Sequence, residues 1–182
     1  MPRDFIESVT AEYRRYKQLG DGAFAQLANG ELCQAASADD NSVAAIVWHL
    51  AGNLKSRFTD FQTSDGEKPW RNRDEEFAER VVTRQQLLEK WEDGWQVLFN
   101  TLDGLTDDDL HKVVTIRRQP LAIHQALHRS LAHTSYHVGQ IVFVAKSFRG
   151  SDWRSLSIPK GASSAFMQRG DPIQKSATPT SS

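Results

Sequence analysis

A single cysteine, Cys33, stands in a chain of 182 residues, so an internal disulfide and a cysteine-based zinc site are both excluded. No flanking motif marks it as a nucleophile. No apolar run approaches the roughly 18 residues a membrane span needs. The start, Met1-Pro2-Arg3-Asp4-Phe5-Ile6-Glu7, lacks the apolar segment of a signal peptide. A surplus of either charge is missing too: 22 Lys and Arg against 23 Asp and Glu leave a net charge of −1. Nucleic acid and anionic membranes are therefore not expected partners. These absences leave a cytoplasmic location as the expectation.

Apolar residues are present in ordinary proportion, 39% against 25% charged, enough for one domain with a real core. Their spacing is helical. Ile6, Val9, Tyr13, Tyr16, Ala23 and Leu27 predict a helix over about 4–28, with Gly20-Asp21-Gly22 loosening or kinking it. After a polar stretch with an N-cap at Asn41 or Ser42, a second helix is predicted over about 42–62. Residues 63–80 break the pattern, with Asp65-Gly66 and Lys68-Pro69 as turn signals, and a connection this long is more often functional than idle. Thr83 and Gln86 form a capping box that opens a third helix, which ends at Gly104. Gly94 inside it implies a close packing contact.

Thr106-Asp107-Asp108-Asp109 reads as a capped turn and 111–117 as a short extended segment. Pro120 suits the first turn of a fourth helix over about 121–148. Residues 151–161 are expected to be an ordered extension, because Trp153, Leu156 and Ile158 need burial. Ser/Thr/Pro composition beyond about Gly170 predicts disorder. The sum is an all-α four-helix bundle over 1–161 with a long loop between helices 2 and 3, and a mostly disordered tail over 162–182.

Six histidines remain to be placed. The fourth helix carries two pairs at i, i+4 spacing, His124/His128 and His133/His137, which lie on opposite sides at about 100° per residue. The second pair shares its side with Ala126, Ile141 and Val144, and the first with Ser135 and Lys146. His133 and His137 therefore face inward, where converging imidazoles need a partner that a metal supplies. His49, on the apolar second helix, is the candidate third ligand. The residues alone admit both a metal site and a set of core histidines satisfied by backbone and water. Asn53 and Gln140 are placed to orient the rings from behind. Gly139 would admit a close approach by backbone or ligand. Arg71, Arg73 and Lys68 in the long loop, with Lys160 further on, are candidate anchors for a substrate carboxylate or phosphate, or else a solvated charged surface.

From about Phe5 to Gly161 the chain resembles the DinB/YfiT-like metal-binding four-helix bundles. The resemblance rests on His49-Leu50 with Asn53, and on His133-Thr134-Ser135-Tyr136-His137-Val138-Gly139-Gln140. Within that superfamily it is similar to a branch described as a domain of unknown function, through residues 63–74 and 155–161. The resemblance implies that His49, His133 and His137 bind a divalent metal with open positions, zinc before nickel or iron, and that the protein is a homodimer. Characterised relatives include transferases and isomerases that use low-molecular-weight thiols, and a hydrolase. No carboxylate joins the histidine motifs as a general base, unlike the Glu of HExxH. Transfer of a small thiol to an electrophile is therefore expected ahead of metal-dependent hydrolysis. A noncatalytic metal-binding stress-response protein is the reading from another class.

Overall fold

In the computed structural model, which describes residues 2–164 except 36 and 38, four long helices supply most of one continuous core. They are α1 (Asp4–Phe24), α2 (Val43–Phe58), α4 (Arg84–Asp103) and α5 (Ile123–Arg149), with the short α3 (Arg73–Glu76) between α2 and α4. Helix α2 packs on both α4 and α5, and α1 packs on the same two, so the four close a ring around the core. Trp91, Trp95, Tyr13 and Phe24 are among its largest fully buried side chains. No described helix is long and apolar enough to cross a membrane.

Helix ends are fixed as their residues dictate. Ser42 Oγ accepts from the Ala45 amide at 3.1 Å. Thr83 and Gln86 complete a reciprocal capping box at the start of α4. The first amides of α1 are capped from a distance: Phe5 and Ile6 donate to the Asp107 carboxylate at 3.0 and 3.1 Å. Arg3 in turn donates to the carbonyls of Leu102, Asp103 and Leu105 at the end of α4. These contacts satisfy orphan donors of one helix and orphan acceptors of another at a single junction.

Several expectations are corrected. Helix α1 runs unbroken through Gly20-Asp21-Gly22 to Phe24. Its glycines are packing positions: a Cβ on Gly20 would lie 2.6 Å from the Trp91 ring, and one on Gly22 would lie 2.7 Å from Leu156. Pro120 does not open the last helix. It sits in β2 (Gln119–Ala122), paired antiparallel with β1 (Val113–Ile116), and α5 begins after it at Ile123. An edge strand tolerates proline, which has no amide to contribute.

The hairpin turn is made by Arg117 and Arg118, with φ of 52° and 63°. Both central residues of such a two-residue turn need positive φ, which disfavours side chains other than Gly or Asn. Here Asp65 offsets that cost by accepting from both amides, at 2.8 and 2.7 Å. In the C-terminal segment Trp153 and Leu156 pack against the core, whereas Ile158 stays 40% exposed. The tail expected beyond Gly170 lies outside the described residues.

Candidate metal centre

His49 is held at mid-length on α2, among Ile46, Val47, Leu50 and Ala51, all buried. A helix apolar nearly all round carries its one histidine inside with it. His133 and His137 lie one turn apart on α5, and the packing of α2 on α5 brings the three rings together. One ligand atom from each ring lies within 4.8 Å of the other two. Ring centroids are 4.5 Å apart for His133 and His137, 4.7 Å for His49 and His137, and 5.2 Å for His49 and His133. His49 and His137 are buried, and His133 is partly exposed.

Hydrogen bonds set which nitrogen of each ring faces the centre. His49 Nδ1 lies 2.9 Å from Glu76 Oε2, and a carboxylate can only accept, so Nδ1 carries the proton. In the neutral ring the Nε2 is then a bare lone pair, 3.2 Å from His133 Nε2. His137 Nδ1 donates to Gln140 Oε1 at 2.7 Å, leaving its Nε2 free as well. Gln140 donates on to the Tyr136 hydroxyl at 3.2 Å. His133 Nδ1 is buried with no hydrogen-bond partner among the described residues. Whichever tautomer His133 adopts, a polar atom stays unsatisfied: Nδ1 as a bare acceptor, or two Nε2 lone pairs facing each other.

A cation between the rings relieves that conflict, and the donor set fits one. Two nitrogens at about 2.05 Å from a tetrahedral ion stand about 3.3 Å apart, close to the spacing of His49 and His133. All three ligand atoms lie within 4.8 Å of one another, so the widest separation is at most about 1.5 Å beyond that tetrahedral spacing, and binding would draw the rings together. Burial foremost, and then neighbouring rings and guanidiniums, pushes His133 down to about 3. Burial also takes His137 down to about 4, against a smaller opposing effect of its bond to Gln140. Both rings are therefore neutral near pH 7, the form that ligates metal.

The carboxylate at this site was not evident from the sequence, where none was expected beside the histidines. Glu76, at the end of α3, is buried. Burial raises its pKa, but hydrogen bonds from Arg71 and then His49 outweigh this and hold the carboxyl below the usual range. Arg71 clasps it in a two-pronged grip, Nε to Oε1 at 2.7 Å and Nη2 to Oε2 at 2.8 Å. Both oxygens are thus engaged, and Glu76 serves to orient His49, in the carboxylate–histidine arrangement that supports metal ligands. Phe77 stacks on the His49 ring at 4.5 Å. The usable signal was Gly52, a mid-helix glycine three residues after His49. A Cβ there would lie 2.1 Å from Glu76 Oε1. Nothing in the sequence distinguishes Glu76 from Asp74, Glu75 or Glu79.

The other predicted residues divide. Asn53, Arg71 and Arg73 line a cleft that reaches His49 and His133. Gln140 lies behind His137, as described. Lys160 is exposed and lines no part of the cleft. Lys68 is turned to Ser64 and the Asp65 carbonyl, where it braces the loop. A Cβ on Gly139 would meet nothing within 4 Å, so the close approach expected there does not occur among the described residues. The outer pair lies elsewhere: His124 is bonded to the Leu110 carbonyl at 3.0 Å, and His128 is exposed against Phe5.

Residues 1–162 match the model of a family described as a protein of unknown function, DUF1572. No curated protein matches the chain. Among solved structures, the crystal structure of a conserved protein from Enterococcus faecalis is similar, with a TM-score of 0.63 and 18% sequence identity. The match covers 80% of this chain and 97% of that one, and at this identity it speaks for a shared fold alone.

Proposed function

The chain belongs to the DUF1572 family of unknown function, and from that premise we propose that it is a divalent-metal-dependent enzyme on a DinB/YfiT-like four-helix bundle, transferring a low-molecular-weight thiol to an electrophile. The observation that carries this reading is the inward-facing imidazole set, with His49 fixed by Glu76 so that its bare Nε2 faces the ring of His133. In this reading His49, His133 and His137 hold the ion, zinc before nickel or iron, since imidazole suits all three. Such an ion supplies Lewis acidity that lowers the pKa of a thiol or of water.

The protein's own part is to orient and to admit. Glu76 and Gln140 fix the rings from behind, and the cleft along His49 and His133 gives a small molecule access. Thiol transfer is favoured over hydrolysis because Glu76, the nearest carboxylate, has both oxygens occupied. A nucleophile activated through its own lowered pKa needs no separate general base. A homodimer in the cytoplasm belongs to the same proposal, with chain mass in solution as its check.

The test begins with elemental analysis of protein purified without a histidine tag. About one equivalent of metal is expected, and a value far below that, even after reconstitution, overturns the proposal. His137→Ala should then abolish turnover against a panel of small thiols and electrophiles while circular dichroism stays that of wild type. Turnover of esters or amides without a thiol would transfer the assignment to hydrolysis. A fold that collapses on chelation, with no turnover of either kind, would assign the metal a structural role.

A further inference from the structure

The cleft that reaches the histidines is lined by five arginines and by no carboxylate. They come from separate parts of the chain: Arg57 from α2, Arg71 and Arg73 from the long loop and α3, Arg117 from the hairpin turn, and Arg129 from α5. Their counter-charges are too few. Glu67 serves both Arg57 and Arg117, and Glu76 serves Arg71. Arg73 and Arg129 have no ion-pair partner among the described residues, so two carboxylates face five guanidiniums. Cations gathered around one concave space repel one another unless an anion joins them.

A second observation points the same way. The Arg71 side chain is only 2% exposed. Its Nε and Nη2 are spent on Glu76, but Nη1 is buried with no partner among the described residues. A buried guanidinium donor without an acceptor costs free energy that a bound oxyanion removes. Arg117 is also held in place: Asp65 stabilises its positive φ, and Glu67 accepts from its Nε at 2.7 Å. The remaining lining includes Phe58, Phe61 and Ile116, an apolar wall for the body of a small molecule.

We infer that this cleft, of about 190 Å³, takes a small substrate by an anionic head group, a carboxylate or a phosphate, gripped by the arginines so that the rest of the molecule extends toward His49 and His133. The placement of the reacting end rests on the metal centre proposed above; the grip on the anion does not.

The experiment is calorimetric titration of the full chain with succinate and, separately, with inorganic phosphate. It is run at low ionic strength on metal-loaded and chelator-treated protein, with metal content measured in every sample. Saturable binding of at least one anion at millimolar concentration or better is expected, and the anion that binds tells carboxylate from phosphate. Arg73→Ala and Arg129→Ala, whose side chains lie at the surface, should each weaken binding about tenfold and leave metal content unchanged. Failure of both anions to saturate, or arginine variants that bind as tightly as wild type, overturns the inference. Binding that vanishes with the metal yet ignores the arginines also overturns it, while leaving the metal centre standing. Arginine-dependent binding by a protein that retains no metal does the reverse.

Discussion

On one side of α2, Ala51 lies against Gly94 of α4, where a Cβ on the glycine would come within 2.7 Å of the Ala51 Cα. One residue further along, Gly52 lies against the Glu76 carboxylate of α3. Each contact exists because a side chain is missing, but the two have different consequences. At Gly94 backbone meets backbone inside the apolar core, and nothing there can yield. At Gly52 the neighbour is the tip of a side chain held by Arg71 and His49, so crowding displaces a carboxylate and leaves the helices in place. Close approach secures the fold at the first position and sets a histidine's tautomer at the second.

The sharpest way to break this comparison is Gly94→Val, which should cost about 3 kcal/mol of stability through overpacking and a β-branched residue in a helix. Urea unfolding measures it, and an unchanged midpoint would show that α2 and α4 can separate freely. Next is Gly52→Ala, together with Glu76→Gln. Both should weaken metal binding about 10–100-fold, as loss of a partner behind a ligand does, while Gly52→Ala moves the urea midpoint less than Gly94→Val does. Competition against a chromophoric chelator reads the affinity; equal affinity in both variants and wild type would remove Glu76 from the site. Gly139 is the control, open to solvent with nothing to meet a Cβ. Gly139→Ala should therefore stabilise by about 1 kcal/mol through helix propensity alone. Destabilisation, or a change in mass in solution, would reveal a neighbour at that face.

The smallest effect expected is one of pH, away from both contacts. Asp109 is pushed down to about 2, first by Lys112 and then by the amide and hydroxyl of Thr106. Its folded-state value lies below the unfolded one, so its contribution is complete above about pH 4. That contribution is lost as pH falls through about 2. Asp109→Asn should flatten the acid limb of the stability curve over this window and change little at pH 7. An acid limb identical to wild type would show that the capped turn carries none of it.

Much of the architecture was legible because it depends on local rules. The Thr83–Gln86 box, the Ser42 cap, the apolar stripes of the long helices and the inward side of His133 and His137 follow from spacing of residues near one another in sequence. The departures at Pro120, Gly20 and Gly22 share a cause. Pro120 reads as the first turn of a helix because its strand partner, Thr115, lies across a turn whose positive φ is supported by the distant Asp65. The glycines at 20 and 22 resembled a kink because Trp91 and Leu156 fill the space beside them. Ile158 was expected inside, yet an apolar residue left singly on the surface is ordinary.

At the site, helical periodicity placed His133 and His137 on one inward side, since a helix's face is fixed by its own sequence, while joining His49 to them rested on the family resemblance. Arg71 and Arg73 were candidates from the loop's composition, but Glu76, Arg57, Arg117 and Arg129 were not. They sit on α3, on α2, on the hairpin turn and on α5, and only the packing of those elements decides which charges meet. The sequence by itself determined which helices form and which face each buries, because backbone hydrogen bonding and apolar periodicity act over a few residues. The partner behind His49 and the charge lining the cleft were decided in the tertiary structure alone, because Coulombic and hydrogen-bond energies depend on separation in space and not along the chain.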